Sequence, residues 1–164
     1  MKDTVIVIAE QEEKKLAEQF FPNAEVLITG VGAINIIRSL QHLPRTTRII
    51  NIGYAGSANF EVGTWVEVSE ARLNHPNVSY PEPKLMLEPL GESPLKPNTE
   101  FLKAVCFSGV DFVLASKERD CVFDMELAFI CALGFEHVSS IKYVSDNLSL
   151  HEYREVGAGV EQTK

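Results

Sequence analysis

The segment Val5–Ala9 is an unbroken run of apolar, mostly β-branched side chains. A strand without polar alternation is typical of a parallel sheet that helices cover on both faces. The chain that follows keeps to this plan, because short apolar runs alternate with stretches of helical periodicity. The sequence therefore predicts an α/β fold.

This alternation can be written as a series of predicted elements. The predicted strands are Val5–Ala9, Glu25–Thr29, Arg48–Ile52, Trp65–Leu73, Asp111–Ala115 and Val138–Val144. The predicted helices are Glu12–Phe21, Ala33–His42, Glu100–Phe107 (capped by Asn98 or Thr99) and Val122–Leu133. The glycine-rich residues 53–56 are predicted to close the third strand as a turn. We expect a single domain, residues 1–164, with a mostly parallel mixed sheet in a three-layer α/β/α arrangement.

Composition narrows the possible functions. The formal net charge of −8 argues against a surface for nucleic acid or for an anionic membrane. No apolar run approaches the roughly 20 residues that span a bilayer. The three cysteines are odd in number and lie in helical patterns, which indicates reduced thiols in a cytoplasmic protein. The four histidines lack metal-ligand spacing, so neither a metal nor a cofactor is predicted.

Two acids stand out from the pattern. Glu126 would share the apolar face of its predicted helix, where an unpaired carboxylate costs several kcal/mol of desolvation. It could pair with a base in the core or contact a ligand. Asp146 ends the last predicted strand and could merely begin a turn. However, Ser149 and Glu152 already form a capping box for the next helix, which leaves Asp146 free.

Several polar or glycine-rich segments follow predicted strands, and in α/β sheets ligands bind beside the carboxyl ends of the strands. Glu12 and Glu13 follow the first strand, although acids in a first helical turn are also favoured by the helix dipole alone. Gly30 and Gly32 follow the second strand. Asn35 stands where a dinucleotide fingerprint has its third glycine, so a Rossmann cofactor is not predicted.

A set of short motifs in order resembles the nucleoside phosphorylase and nucleosidase superfamily. The closest resemblance is to methylthioadenosine/S-adenosylhomocysteine nucleosidases, in a shortened form. The motifs are Glu10–Glu13, Thr29–Asn35, Ile50–Gly56, Val62–Thr64 with Ser69–Ala71, Met125–Glu126 and Val144–Asp146. The resemblance implies a nucleoside phosphorylase-like fold and, as substrate, a purine nucleoside of the adenosine type.

The resemblance also implies roles for individual residues. Asp146 matches the acid that protonates the purine, with Ser145 helping to hold it. Glu126 matches the acid that binds the ribose hydroxyls, with Met125 beneath the sugar. Glu13, or otherwise Glu12, matches the acid that positions the attacking water. The remaining substrate-binding candidates are Tyr54, where a small residue is common, Ala55, Gly56, and Lys142, where an arginine is usual.

Three activities are compatible with the resemblance. Phosphorylases of this superfamily usually place an arginine near the position of Asn51, whereas this chain has acids after its first strand, which would repel phosphate and suit water. We therefore expect hydrolysis of the N-glycosidic bond. Phosphorolysis and binding of a nucleoside without cleavage are the alternatives. The resemblance further implies a homodimer.

Overall fold

The computed structural model describes residues 3–74, 85–91 and 101–162, with side chains up to residue 156. The strands are β1 (Thr4–Ile8), β2 (Val26–Ile28), β3 (Arg48–Gly56), β4 (Trp65–Leu73), β5 (Leu85–Met86), β6 (Leu102–Ser108), β7 (Cys121–Asp124) and β8 (His137–Asp146). The helices are α1 (Lys14–Phe20), α2 (Ala33–Leu40), α3 (Leu127–Ala132) and α4 (Leu150–Gln162), and Gln11–Glu13 form a 3-10 turn before α1. Within these residues no helix has the length and apolar character to cross a membrane.

The strands form one mixed sheet whose pairs are mostly parallel. Strand β1 lies between β2 and β3, and β3 continues in parallel with β8 over almost its whole length. The pairings β3–β8, β8–β4, β4–β6, β6–β7 and β7–β3 close into a ring of five strands. The ring brings the ends of β3, β7 and β8 together, which positions the site described below.

Each face of the sheet has its own apolar core, because neighbouring side chains of a strand point to opposite faces. In β1, Val5 and Val7 pack with α2 and α3, whereas Ile6 and Ile8 pack with α1 and α4. This arrangement explains the unbroken apolar run at the start of the chain. It also confirms the predicted α/β fold with helices on both faces of a largely parallel mixed sheet.

Several predicted elements are wrong. The predicted helix Glu100–Phe107 is strand β6 from Leu102, with alternating burial, because pairing with β4 and β7 outweighs helical propensity. The predicted strand Asp111–Ala115 is irregular. The predicted turn at residues 53–56 is the end of β3, and the predicted helix Val122–Leu133 is divided between β7 and α3.

Some predictions fall partly outside the described residues. Asn98 and Thr99, the predicted cap residues, lie outside them, as does most of the proline-rich segment Pro76–Pro97. Within that segment the structure describes residues 85–91, where Leu85–Met86 pairs with β4 as an edge strand. The three cysteines are free thiols, as predicted, but Cys106 and Cys121 lie in strands rather than in helices.

A matched pair of leucine substitutions tests the core on the α1 side of the sheet. Leu16 on α1 is 2% exposed, whereas Leu114 is 67% exposed. We expect Leu16→Ala to lower the free energy of unfolding by about 2–5 kcal/mol, because it leaves a cavity, and Leu114→Ala to change it by less than about 0.5 kcal/mol. Urea unfolding followed by circular dichroism measures both. Equal effects of the two substitutions would contradict this packing.

Candidate active site

A cavity lies at the carboxyl ends of β1, β3 and β8, where the resemblance places a ligand. Together with the solvent at its open mouth, it encloses about 540 Å³ of space between the atoms. Eight of the ten predicted site residues line it: Glu13, Tyr54, Ala55, Gly56, Met125, Glu126, Ser145 and Asp146. The structure therefore brings together residues that are separated by up to 133 positions in the sequence.

Glu13 is a buried residue of the cavity wall and is held by backbone donors. Its Oε1 accepts hydrogen bonds from the N–H groups of Ala9 and Glu10, each over 2.9 Å, and its Oε2 accepts one from the N–H of Tyr54 over 2.8 Å. A Cβ at Gly53 would collide with Glu13 Oε2. Burial raises the pKa of Glu13 to about 6, against the opposing effects of the Lys142 charge and these hydrogen bonds.

Glu126 lies just before α3 and not, as predicted, on the apolar face of a helix. Its backbone is not yet helical, and its Oε2 accepts a hydrogen bond from the N–H of Gly32 over 2.9 Å. The residue is 9% exposed. Burial, followed by the charge of Asp124, raises the pKa of Glu126 to about 8, so its carboxyl group is largely protonated at neutral pH.

Close to Glu126 lies an ion pair between Lys142 and Asp124, whose side chains are each 1% exposed. Lys142 Nζ is 2.9 Å from Asp124 Oδ2. The same Oδ2 accepts a hydrogen bond from the N–H of Leu127, and Oδ1 accepts one from Ser108. Burial alone would raise the pKa of Asp124, but the Lys142 charge and these hydrogen bonds bring it below its usual value. The pair fixes the first turn of α3, and with it the position of Glu126.

Asp146 ends β8 and is held by its immediate neighbours. Its Oδ2 accepts a hydrogen bond from Ser145 Oγ over 2.6 Å, and its Oδ1 accepts one from the N–H of Leu148 over 2.9 Å. A Cβ at Gly56 would lie only 2.8 Å from Oδ1, so glycine is needed for this close approach. Burial raises the pKa of Asp146, with the hydrogen bond from Ser145 acting in the opposite direction.

Aromatic side chains form another part of the cavity wall. The ring of Tyr153, on α4, meets the ring of Phe112 at 5.6 Å and that of Tyr54 at 6.1 Å. Tyr153 Oη donates a hydrogen bond to Glu10 Oε2 over 2.5 Å. The hydroxyl of Tyr54 is buried and has no hydrogen-bond partner within the part of the chain that the structure describes.

Two predicted site residues do not line the cavity. Glu12 is partly exposed on the 3-10 turn, beside Glu13. Lys142 is fully buried behind the wall, where Asp124 is its partner. The sequence suggested that Glu126 could pair with a base in the core. In the structure it is Asp124, two residues earlier, that has this buried basic partner.

Sequence reasoning also missed several residues of this region. Glu10 belongs to one of the motifs that carry the resemblance and Asp124 directly precedes another, so their positions were visible although their contacts were not. Tyr153 lies in the helix that the capping box begins, which gives no indication of a site. Phe112 was placed in a strand, and the irregular segment that brings it to the cavity has no recognisable pattern.

The fold can be compared with known proteins. No protein-family model matches the sequence, and no curated protein matches it significantly. Among solved structures, the 5′-methylthioadenosine/S-adenosylhomocysteine nucleosidase of Neisseria meningitidis, in complex with methylthio-immucillin-A, matches with a TM-score of 0.75 at 18% identity, over 96% of this chain and 94% of that chain. The MTAN of Chlamydia trachomatis matches with a TM-score of 0.74 at 18% identity, over 97% and 91%.

A third match is the nucleosidase of the same description from Colwellia psychrerythraea, in complex with adenine. It has a TM-score of 0.72 at 18% identity, over 97% of this chain and 91% of that chain. The chain has the nucleoside phosphorylase fold. The resemblance predicted from short motifs is thus confirmed at the level of the fold, over nearly the whole chain.

The raised pKa values of the carboxyl groups in the cavity predict how the stability of the folded protein depends on pH. The pKa of Glu126 is about 8 in the folded protein, against an ordinary value of 4.5. Between these two pH values the folded state therefore holds the Glu126 proton more tightly than the unfolded state does. Its contribution is therefore fully present below about pH 4.5 and is lost as the pH rises through 8. We expect the free energy of unfolding to fall between pH 5 and pH 8.

The substitution Glu126→Gln should flatten this pH dependence, because the amide does not titrate. Urea unfolding at pH 5, 6, 7 and 8 measures the slope, with Glu18→Gln, an exposed position on α1, as the matched control. A wild-type stability that rises over this range, or a slope that Glu126→Gln leaves unchanged, would be incompatible with the protonated state described for Glu126.

Proposed function

We propose that the protein is a purine nucleosidase that hydrolyses the N-glycosidic bond of an adenosine-type nucleoside, of the methylthioadenosine/S-adenosylhomocysteine kind, to base and free sugar. The observation that carries the proposal is the convergence of Glu13, Glu126 and Asp146, from three separate segments, on one cavity. The fold supports it, since the similar Chlamydia trachomatis protein has been crystallised with MTA and with adenine.

In this proposal Asp146 is the general acid. Departure of a purine requires a proton on the ring, and an acid is able to deliver one when its pKa is raised toward the working pH. Burial raises the pKa of Asp146. Ser145 Oγ and the N–H of Leu148 fix both carboxyl oxygens, so the orientation of the proton donor is set before the substrate enters.

Glu13 is the proposed general base. With a pKa of about 6 it is mostly ionised at neutral pH and still basic enough to take a proton from water. Three backbone N–H groups hold its carboxylate in place. Glu126 and Met125 would contact the sugar, with the Glu126 carboxyl group bonding to ribose hydroxyls. Glu12, which lies outside the cavity, has no proposed part in the reaction.

Hydrolysis is favoured over phosphorolysis by the charges around the cavity. Among the described residues that line it there is neither a lysine nor an arginine to hold phosphate. Lys142 is paired with Asp124, and the amide of Asn51 is used between strands, where it donates to the carbonyl of Val7 and accepts from Ser140. A phosphorylase, or a family member that binds a nucleoside without cleaving it, remains the alternative hypothesis.

A homodimer of single-domain, cytoplasmic subunits completes the proposal. Two isoleucines of α2 three residues apart, Ile34 and Ile37, are 73% and 45% exposed. Val31, just before α2, is 39% exposed and also lines the cavity. A second copy seated on this apolar face would therefore lie beside the cavity mouth and help to close it.

The decisive experiment measures release of free base from a panel of nucleosides (adenosine, methylthioadenosine, S-adenosylhomocysteine, inosine and uridine), with and without phosphate. We expect adenine to be released from adenosine-type substrates without phosphate. Asp146→Asn should lower kcat by about 10²–10⁴-fold, because the amide cannot donate the proton. Asp3→Asn, an exposed position, is the matched control.

The possible results separate the hypotheses. Release that requires phosphate would establish a phosphorylase. Full turnover by the Asp146→Asn variant would exclude Asp146 as the general acid. Absence of release from a folded protein that still binds adenine would leave the binding hypothesis.

The oligomeric state is tested by sedimentation equilibrium. We expect a dimer at micromolar concentration and a monomer for Ile34→Glu, because a charge on the apolar face would be buried at the interface. Met86→Glu, at a position that is 67% exposed on the edge strand, is the control and should remain dimeric. A wild-type protein that sediments only as a monomer would contradict the proposal.

A further inference from the structure

A hydrogen-bonded pair in the cavity wall has no part in the mechanism proposed above. Tyr153, on α4, and Glu10, between β1 and the 3-10 turn, both line the cavity, and Tyr153 Oη donates to Glu10 Oε2 over 2.5 Å. Burial and the neighbouring Glu10 carboxylate raise the pKa of Tyr153, so its hydroxyl keeps its proton. Both residues are partly exposed, so a ligand that enters the cavity would cover them.

The roles proposed for the neighbouring residues indicate which part of a bound nucleoside Glu10 and Tyr153 would face. Glu10 belongs to the same turn as Glu13, since its own N–H donates to Glu13 Oε1 over 2.9 Å. It therefore lies at the sugar end of the cavity, whereas Asp146 marks the end that holds the base. A ribose has its base on C1′ and its hydroxyls on C2′ and C3′. With Asp146 and Glu126 assigned to those groups, the substituent on the 5′ carbon is left for Glu10 and Tyr153.

The pair offers acceptors and no free donor. The proton of the Tyr153 hydroxyl is directed to Glu10, so what remains for a ligand are lone pairs on the phenol oxygen and on the carboxylate. A 5′-hydroxyl can donate to them. A thioether has no donor and would desolvate a carboxylate without replacing its hydrogen bonds to water. An anionic substituent would be repelled.

We propose that Glu10 and Tyr153 select the substrate by its 5′ substituent, favouring nucleosides with a hydrogen-bond donor at the 5′ position, such as a free hydroxyl, over 5′-thioethers. This inference rests on the proposed nucleosidase function and narrows its substrate class: within the adenosine-type nucleosides it makes those with a 5′ hydrogen-bond donor the preferred substrates and the methylthioadenosine kind the disfavoured ones. Glu10 and Tyr153 are then specificity-determining residues, whereas Glu13, Glu126 and Asp146 serve all substrates alike.

The test compares kcat/KM for adenosine and for methylthioadenosine in the wild-type protein and in Glu10→Met. Because a hydrogen bond to a charged group is at stake, we expect the wild type to favour adenosine by about tenfold or more, and Glu10→Met to reduce this ratio by about tenfold. The substitution keeps the backbone N–H that holds Glu13. A ratio of two substrates within one variant is insensitive to a general loss of folded protein.

Matched controls come from positions outside the cavity. Glu18→Gln, on the exposed face of α1, and Tyr143→Phe, whose ring packs against Trp65, should leave the substrate ratio unchanged. Tyr153→Phe should lower the ratio, because it removes the hydroxyl. Free adenine has no 5′ group, so calorimetry should give the same affinity for adenine in the wild type and in Glu10→Met.

The outcomes distinguish this inference from the function on which it rests. A wild-type protein that cleaves methylthioadenosine as well as or better than adenosine overturns the inference and leaves a nucleosidase, as does an unchanged ratio in Glu10→Met. If neither nucleoside is cleaved, the nucleosidase function fails and calorimetric binding decides the inference. Tighter binding of adenosine supports it, and equal binding, tighter binding of methylthioadenosine or no binding overturns it.

Discussion

The ion pair between Lys142 and Asp124 is the interaction on which the site depends. It joins β8 to β7 with both charges fully buried, and such a pair costs about 3–5 kcal/mol when one partner is removed. Asp124 also accepts the N–H of Leu127, so the pair determines where α3 begins. Since Glu126 directly precedes α3, its entry into the cavity follows from that anchor. The main contribution of this buried ion pair is therefore to position α3 and Glu126 rather than to stabilise the fold.

Two glycines of β3 solve a steric problem that this arrangement creates. The carboxyl groups of Glu13 and Asp146 reach the same strand from different segments, and a side chain at Gly53 or Gly56 would occupy the space that they need. Gly53 also lies opposite Lys142 in the parallel register of β3 and β8. The glycine-rich sequence of β3 therefore provides room for acids rather than a turn.

The glycines of β3, which were predicted to form a turn, illustrate what the sequence could and could not predict. The strand at Val5–Ala9 was predictable because burial on both faces of a sheet gives an unbroken apolar run in the sequence. Trp65–Leu73 was predicted with its observed bounds. The strand Leu102–Ser108 was not predictable, because a short apolar segment can form either a helix or a strand. The strands that pair with it in the folded protein determine which of the two it forms. Glu126 was correctly predicted to be buried, but in a helix that begins only after it. The contact between Glu10 and Tyr153 joins residues 143 positions apart, which no local pattern encodes.

The balance of charge in the cavity suits the proposed hydrolysis. Glu13 and Glu126, with pKa values of about 6 and 8, share one buried cation that Asp124 already pairs. In the proposed function, a neutral nucleoside would enter without forcing the Glu126 carboxyl group to ionise. As the base of that nucleoside departed, the sugar would become positively charged, and this charge would lower the cost of ionising the nearby carboxyl groups. The attraction would then be strongest in the transition state, where it would accelerate the proposed reaction instead of tightening substrate binding.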